Sequence, residues 1–506
     1  MLDTKKVSKN AFLLGSRTLL TVLIGLYVSR VLLLNLGEVN FGVYSIVGSV
    51  IVVWGSLRGV FASSTQRFLN VASVHEDHSY SRRIFSISLS VHLIIAALFL
   101  ALVGGVGAYL INNTLSIPAG SLSAANIIFW ASMLSSVFSI ITTPFDASII
   151  AHERMGFFAL TSVLDVLGRL LLALSIPLFK GYELIFWGCA YAFLTVLIRI
   201  ISVIYAKAKC PEVRFKLELD RSLFMEMTRF AGWNFLGNTS FYVINEGLNF
   251  ILNVFWGVAL NAARGIAMQV QSGIASFTGN VITASDPQIC KLYAAGEERS
   301  MYRLFSLSAR SLSLIYITIC MPIVISIQPI LILWLKEVPP YTGEMVILML
   351  VHGLIRTFHT PITSLFHATA KLKRVELMEL FVRTSTVFFA YLVARFLGVP
   401  PYSIYVVLCC TEIVNVLLMV QIARGDFHFD IKFYLKEVMM PVSTVIGTLL
   451  LVLVTIVSLQ LQSYIHWFVL SALLFLLSGV LSLFIGFSRS ERSTLINVVT
   501  SRFKKK

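Results

Sequence analysis

Asn234, Asn238, Asn245, Asn249 and Asn253 recur at steps of 4, 7, 4 and 4. At the pitch of an α-helix they fall within an arc of about 100° and extend ~28 Å along the axis. One amide in an apolar helix is ordinary interhelical glue. Five in one line, running the thickness of a bilayer, point instead to a water-filled cavity. Glu246 stands just beside that arc and is the carboxyl best placed for proton coupling. A second line, His352, Arg356, His359, Thr363 and His367, runs at steps of 4, 3, 4 and 4 and holds Pro361, which can kink the helix. Its histidines are ~10–12 Å apart along a helix, too far to share one metal ion. The line reads as a cationic wall for an anionic substrate. A third stripe, Gln269, Ser272, Ser276, Asn280 and Thr283, has Arg264 at one end and Asp286 at the other. Serine and threonine in such helices often bond their own backbone, so this stripe speaks equally for close packing. Arg17 and Arg58 have no carboxylate within a turn of their own helices. Arg169 does, four residues after Asp165, the spacing of an intrahelical ion pair. A cavity with that balance favours an anion.

The elements that carry these residues are long and apolar. About fourteen segments of 20 or more residues have the length to cross ~30 Å of hydrocarbon as helices. They fall near 11–34, 41–64, 84–111, 124–144, 157–178, 183–206, 229–254, 261–284, 304–330, 345–368, 375–398, 402–422, 440–460 and 465–487. With the N-terminus in the cytoplasm, roughly 27 Lys/Arg fall in cytoplasmic segments and about 2 in external loops, a strong positive-inside bias. Both termini are then cytoplasmic and the protein is a multi-pass one of the bacterial inner membrane. The longest connection, KAKCPEVRFKLELDR from Lys207 to Arg221, leaves six spans before it and eight after. The spans divide as an N-lobe over 1–210, a linker over 211–228, a C-lobe over 229–424, and two further helices with a basic tail over 425–506. An internal repeat supports that division. Gly37 to Phe68 overlays Gly257 to Ile289, each a short outside turn followed by a Ser/Gly-rich helix.

Composition agrees and excludes other classes. Hydrophobic residues make up 57% of the chain and charged ones 13%, with a mean hydropathy of +0.85. A soluble domain is about one quarter charged. The net charge of +15 sits mainly at membrane-facing loop ends, where topology and anionic headgroups account for it, so no nucleic-acid partner is implied. No loop is long enough for a catalytic domain, and no Gly-rich phosphate loop is present. The protein is read as a non-enzyme with no catalytic residues and no cofactor. Its six cysteines show no CxxC spacing, and no metal site follows from the sequence.

The stretch NAARGIAMQVQSGIASFTGNVITASDPQICKLYAAGE, Asn261 to Glu297, resembles the corresponding segment of Wzx-type O-antigen and polysaccharide flippases. These belong to the multidrug/oligosaccharidyl-lipid/polysaccharide (MOP) exporter superfamily. LGEVNFGVYS at 36–45, TPFDASIIAHERM at 143–155 and ILWLKEVPPYT at 332–342 fit in order, so the likeness spans nearly the whole chain. Ser16-Arg17 and Leu57 to Phe61 resemble the lipid II flippases of the same superfamily. Arg169 stands where a lysine is expected, and AKLKRVE lacks the usual Gly-rich form. The resemblance implies an all-α fold of two six-helix lobes in a V-shaped MATE-like arrangement plus two C-terminal helices. It implies a substrate of an oligosaccharide linked by pyrophosphate to undecaprenol, an O-antigen, capsule or exopolysaccharide repeat unit, moved to the periplasmic leaflet by alternating access. Arg17, Arg58, Arg264 and Arg356 then suit the pyrophosphate, as forked donors of fixed charge. Asn234, Asn238, Asn245 and Asn249 suit sugar hydroxyls, because an amide both donates and accepts. His352 and His359 complete the substrate wall, and Glu246 serves H⁺ coupling. A polysaccharide polymerase, a chain-length regulator, membrane lipids and H⁺ or Na⁺ are the implied partners. The alternative is a MATE-like antiporter expelling organic cations against H⁺ or Na⁺. It would favour a carboxylate in the first helix, which here carries Arg17 and no Asp or Glu from 11 to 34.

Overall fold

The computed structural model describes residues 4–52, 65, 68–69, 78–152, 154–213, 220–369, 372–427, 429–460, 466–489 and 491–493. Side-chain detail starts at Thr21 and leaves out 226–239, 367–369 and scattered single positions. The described residues are mostly helical, with no strand among them. In chain order the main helices are α1 (Thr4–Val52), α2 (His78–Tyr109), α3 (Ala119–Ile141), α4 (Thr143–Ala151), α5 (Met155–Ser175), α6 (Glu183–Lys209), α7 (Arg221–Trp256) and α8 (Val258–Ala294). There follow α9 (Glu298–Ile325), α10 (Ile327–Leu335), α11 (Thr342–Thr369), α12 (Leu372–Phe396), α13 (Ser403–Phe427), α14 (Met440–Ser458) and α15 (Trp467–Gly486).

Eleven stretches among the described residues are long and apolar enough to cross a membrane. The helices bearing the asparagine and Ser/Thr stripes, α7 and α8, are 36 and 37 residues long and also exceed the span of a bilayer. Outward-facing side chains confirm the solvent these helices expect. Phe193, Phe381 and Leu451 are 70%, 74% and 70% exposed, a cost no water-soluble helix would bear repeatedly. The chain is a multi-pass membrane protein. In hydrocarbon, apolar burial no longer drives helices together, so close packing and polar contacts must hold them.

Two glycines show how the repeat is built. Gly37 interrupts α1 at φ 72, ψ 166, and Gly257 separates α7 from α8 at φ 86, ψ 178. Both sit in a region essentially reserved for glycine, so each breaks the helix at a single residue. These are the same two residues at which the sequence overlay begins. Gly42, just past the first break, lies so close to α8 that an added Cβ would stand 2.7 Å from the Val258 carbonyl carbon.

Contacts divide the chain into two compact units, 1–266 with 383–401, and 267–382 with 402–506. At one end of the first, Phe85 meets Phe145 edge-to-face at 5.1 Å over a core of Ile149, Ala206, Cys210 and Val213. The second is built on Phe305, Phe366, Met419 and Tyr434, with a further cluster around Leu314, Val442 and Leu449.

Candidate functional site

Within the first unit one end of the asparagine line, Asn249 and Asn253, is packed rather than wet. Asn249 and Asn253 are 1% and 0% exposed. The Asn249 amide donates to the Ser49 hydroxyl, and its side-chain oxygen accepts from Asn261 Nδ2 at 2.7 Å. Asn253 Nδ2 donates to Asn261 Oδ1 at 3.0 Å, and Asn253 Oδ1 accepts from the Ser116 backbone N–H at 2.8 Å. Asn261 closes the ring by donating to the Asn249 carbonyl at 2.9 Å. Asn249 therefore ties α7 to α8 and α1 rather than lining water, because its amide is bonded to protein groups on both. Asn245 is half-buried and donates to the Phe241 carbonyl four residues back. Arg264 is 5% exposed and gives its Nη2 to the Asn245 carbonyl, while its Nε has no hydrogen-bond partner. Glu246, half-buried beside them, keeps one carboxylate oxygen, Oε2, buried and unbonded.

A water-sized space of this unit lies among α1 to α7. A cavity of about 680 Å³ is bordered by Ser132, Ser135, Ser136, Ser139, Thr161, Ser162 and Thr195, by Tyr44, Tyr191 and Tyr242, and by two ion pairs. Arg169 Nη2 meets Asp165 Oδ2 at 2.5 Å, the intrahelical pair the spacing predicts, and its guanidinium lies 4.8 Å over the Tyr191 ring. Arg199 Nη1 meets Asp146 Oδ2, also at 2.5 Å, joining α6 to α4. Two arginines and two aspartates leave the lining close to neutral, with hydroxyls as its main chemistry. Hydroxyls both donate and accept, which suits a glycan or a hydrated headgroup. Sequence reasoning placed Arg169 and Asp165 in a supporting role and did not weigh the serines of α3. Their spacing, 132, 135, 136 and 139, is itself one face of a helix and was the available signal.

In the second unit the histidine line of α11 meets an acid. His352 and His359 are 9% and 3% exposed, and both converge on Glu412 of α13, itself 6% exposed. His359 Nε2 lies 2.6 Å from Glu412 Oε1, and His352 Nε2 lies 3.4 Å from Oε2. Asn415 Nδ2 donates to Oε1 at 3.4 Å, and Gln271 Nε2 stands 3.3 Å from His352 Nδ1. That pattern assigns an N–H at Nε2 to both imidazoles, facing the carboxylate. His359 Nδ1 is buried and has no hydrogen-bond partner. Three buried titratable groups meet here and are close enough to exchange a proton. Half of the expected cationic wall is thus countered by a carboxylate, and Arg356, half-buried, continues the line one turn from His352. Glu412 was missed because it belongs to another helix, although a carboxylate in the middle of an apolar span is a signal by itself.

Of the remaining expected site residues, Arg58 lies outside the described residues, as do the side chains of Arg17, Asn234, Asn238 and His367.

No protein-family model matches this sequence, and no curated protein does. Solved structures do match. An inward-facing multidrug resistance MATE family transporter of the MOP superfamily superposes with a TM-score of 0.71 at 12% identity, over 81% of this chain and 94% of that one. The lipid II flippase MurJ, in an inward closed conformation, superposes with a TM-score of 0.69 at 11% identity, over 97% of this chain and 99% of that one. A MOP superfamily transporter from Pyrococcus furiosus, described as having a binding pocket of reversed polarity, gives 0.57 at 12% identity over 81% and 95%. The chain has the MATE-like fold of MOP-superfamily transporters.

Proposed function

We propose that the protein is a flippase for a lipid-linked oligosaccharide, carrying an undecaprenyl-pyrophosphate-linked repeat unit across the bacterial inner membrane from the cytoplasmic leaflet. The observation that carries this reading is the hydroxyl-lined, charge-balanced cavity of the first unit. A sugar headgroup cannot cross hydrocarbon unaided, since its polar groups would lose water without replacement. Serine, threonine and tyrosine hydroxyls replace that water with directional partners, while the isoprenoid tail stays in lipid. Arg169 and Arg199 can each turn a free N–H towards a phosphate without abandoning its aspartate, because a guanidinium has five donors. The end-to-end correspondence with a lipid II flippase supports the same class of cargo. Arg17, Arg58 and Arg356 remain the proposed additional contacts for the pyrophosphate, and Asn234, Asn238 and Asn245 for the glycan. Rocking of N- and C-lobes about the site would supply alternating access. The His352–His359–Glu412 cluster and Glu246 are the proposed sites of H⁺ coupling.

Export of an organic cation is the second reading, favoured by the two aspartates bordering the cavity and by the fold shared with multidrug transporters. It is weakened because each of those aspartates already has an arginine. The two separate in liposomes. Purified protein reconstituted with a fluorescent undecaprenyl-pyrophosphate glycan should expose the label to a membrane-impermeant quencher, and should leave ethidium fluorescence unchanged under a pH gradient. Ethidium transport with no movement of the labelled lipid would overturn the flippase assignment.

A further inference from the structure

We infer that His152, Cys210 and Glu212 form a binding site for a divalent transition metal of the zinc class. A ring nitrogen of His152, the Cys210 sulfur and a Glu212 carboxylate oxygen lie within 4.8 Å of one another. Their positions are set by rigid pieces. His152 caps the end of α4. Cys210 caps the end of α6 and opens a tight turn, in which the Val213 N–H bonds the Cys210 carbonyl at 3.2 Å. Pro211 occupies the second position of that turn, where its fixed φ is favoured, and so holds Cys210 and Glu212 on one side.

The reason to suspect a cation is Glu212. It is 2% exposed, and its Oε1 has no hydrogen-bond partner. His152 Nδ1 lies 3.5 Å from that oxygen and itself bonds the Ser148 carbonyl at 3.1 Å. Arg154 is directed elsewhere, to the Tyr205 hydroxyl at 3.4 Å and the Lys209 carbonyl at 3.3 Å. A carboxylate in that setting, backed by Phe85, Phe145 and Ile149, is expensive without a charge to answer it. Thiolate, carboxylate and neutral imidazole sum to two negative charges and would neutralise a dication.

The donor set selects the metal. A thiolate disfavours Mg²⁺ and Ca²⁺, and one sulfur, one nitrogen and one oxygen suit four-coordinate Zn²⁺ with water as the fourth ligand. Ligand atoms around tetrahedral zinc sit ~3.3–3.8 Å apart, reachable here by small side-chain rotations. His152, about one third exposed at 32%, leaves a path for the ion and the water. Without metal, burial and the neighbouring Glu212 push the Cys210 thiol up to about 11, against the pull of Arg154, so binding must expel its proton. The bound ion would staple the end of α4 to the turn after α6. The sequence hid this site because the histidine is far from the cysteine and the only short spacing is C-x-E.

Cobalt(II) added to detergent-purified, chelator-stripped protein is the direct probe. The expected result is one cobalt per chain, with the visible bands of a tetrahedral ion and a thiolate charge-transfer band in the near ultraviolet, both displaced by zinc. Cys210→Ser should abolish the charge-transfer band, and Glu212→Gln should weaken binding by at least about tenfold, the lower bound for losing even a supporting group. Should those variants fold poorly, the wild type carries the test: zinc should protect Cys210 from alkylation, mapped by peptide mass spectrometry, and leave the exposed Cys410 equally reactive. No cobalt spectrum, together with Cys210 alkylation unchanged by zinc, overturns the site.

Discussion

Asn249→Ala separates a packing role from a substrate contact. The substitution deletes two hydrogen bonds, one to Ser49 and one from Asn261. Neither partner is stranded outright, since Ser49 still donates to the Ser45 carbonyl at 3.1 Å and Asn261 still donates to the residue 249 carbonyl at 2.9 Å. The loss is therefore near the ordinary net value of about 1 kcal/mol per bond, plus a small cavity, or ~2–3 kcal/mol together. For a cooperative unit of about 300 residues the unfolding entropy converts 1 kcal/mol into roughly 2 °C, so Tm should fall by about 4–6 °C. The assay is intrinsic-fluorescence melting in detergent, beside flipping of the labelled lipid at a temperature where both proteins are folded. Asn249→Ala and Asn261→Ala combined should cost less than the sum of the two, because they share bonds. An unchanged Tm with lost transport would refute the packing role and return Asn249 to the substrate wall.

Glu412→Gln keeps the side-chain volume and removes the charge between His352 and His359; if the cluster carries the coupling proton, the variant's transport should stop responding to an imposed pH gradient. A wild-type response in Glu412→Gln, and its loss in Glu246→Gln, would move the coupling site to α7. Asp165→Asn should reduce flipping less than Arg169→Ala, because the guanidinium and not its partner meets the phosphate; the reverse order would favour the cation reading. Gly257→Ala forces a side chain into a backbone region only glycine tolerates and should cost ~1–3 kcal/mol, read as lower Tm or lower yield of folded protein. At the far end of the chain, burial acts against ionisation of Glu491, but the Ser488 N–H and hydroxyl and Arg310, 2.6 Å away, hold its carboxyl below the usual 4.5. A depressed carboxyl stabilises fully above its unfolded value and loses that contribution as pH falls through the folded one, so pepsin nicking after Phe487 should increase in the wild type only as pH falls below the ordinary carboxylate range, and in Glu491→Gln should be present at every pH at which pepsin is active.

Much of the fold was legible because hydropathy repeats and the period of a helix are local. Gly37 and Gly257 were visible as matched turns, and the structure gives both the same glycine-only geometry. The ion pair between Asp165 and Arg169 was legible for the same reason, since four residues make one turn. Partners on other helices were not. Nothing within α7 says that Asn253 will meet the backbone of Ser116, 137 positions away, or that Asn249 will meet Ser49. A line of amides looks alike whether water or another amide faces it, so periodicity identified the stripe and left its environment undetermined.

The same limit explains why charge was overcounted. Read helix by helix, the chain offers basic residues with no acid on their own faces, a balance that favours an anion. Across helices, Arg199 of α6 finds Asp146 of α4, and His352 and His359 of α11 find Glu412 of α13. Each of these two carboxylates, Asp146 and Glu412, offsets at most one positive charge. On the proposed flippase reading, anion recognition by the first unit's cavity would come from the orientation of guanidinium N–H groups and hydroxyls rather than from excess charge. Binding of that kind follows hydrogen-bond geometry, and exchanging Arg169 for lysine keeps the charge while losing the fork. If Arg169→Lys flips as well as the wild type at equal abundance, charge alone suffices and this account of the cavity fails.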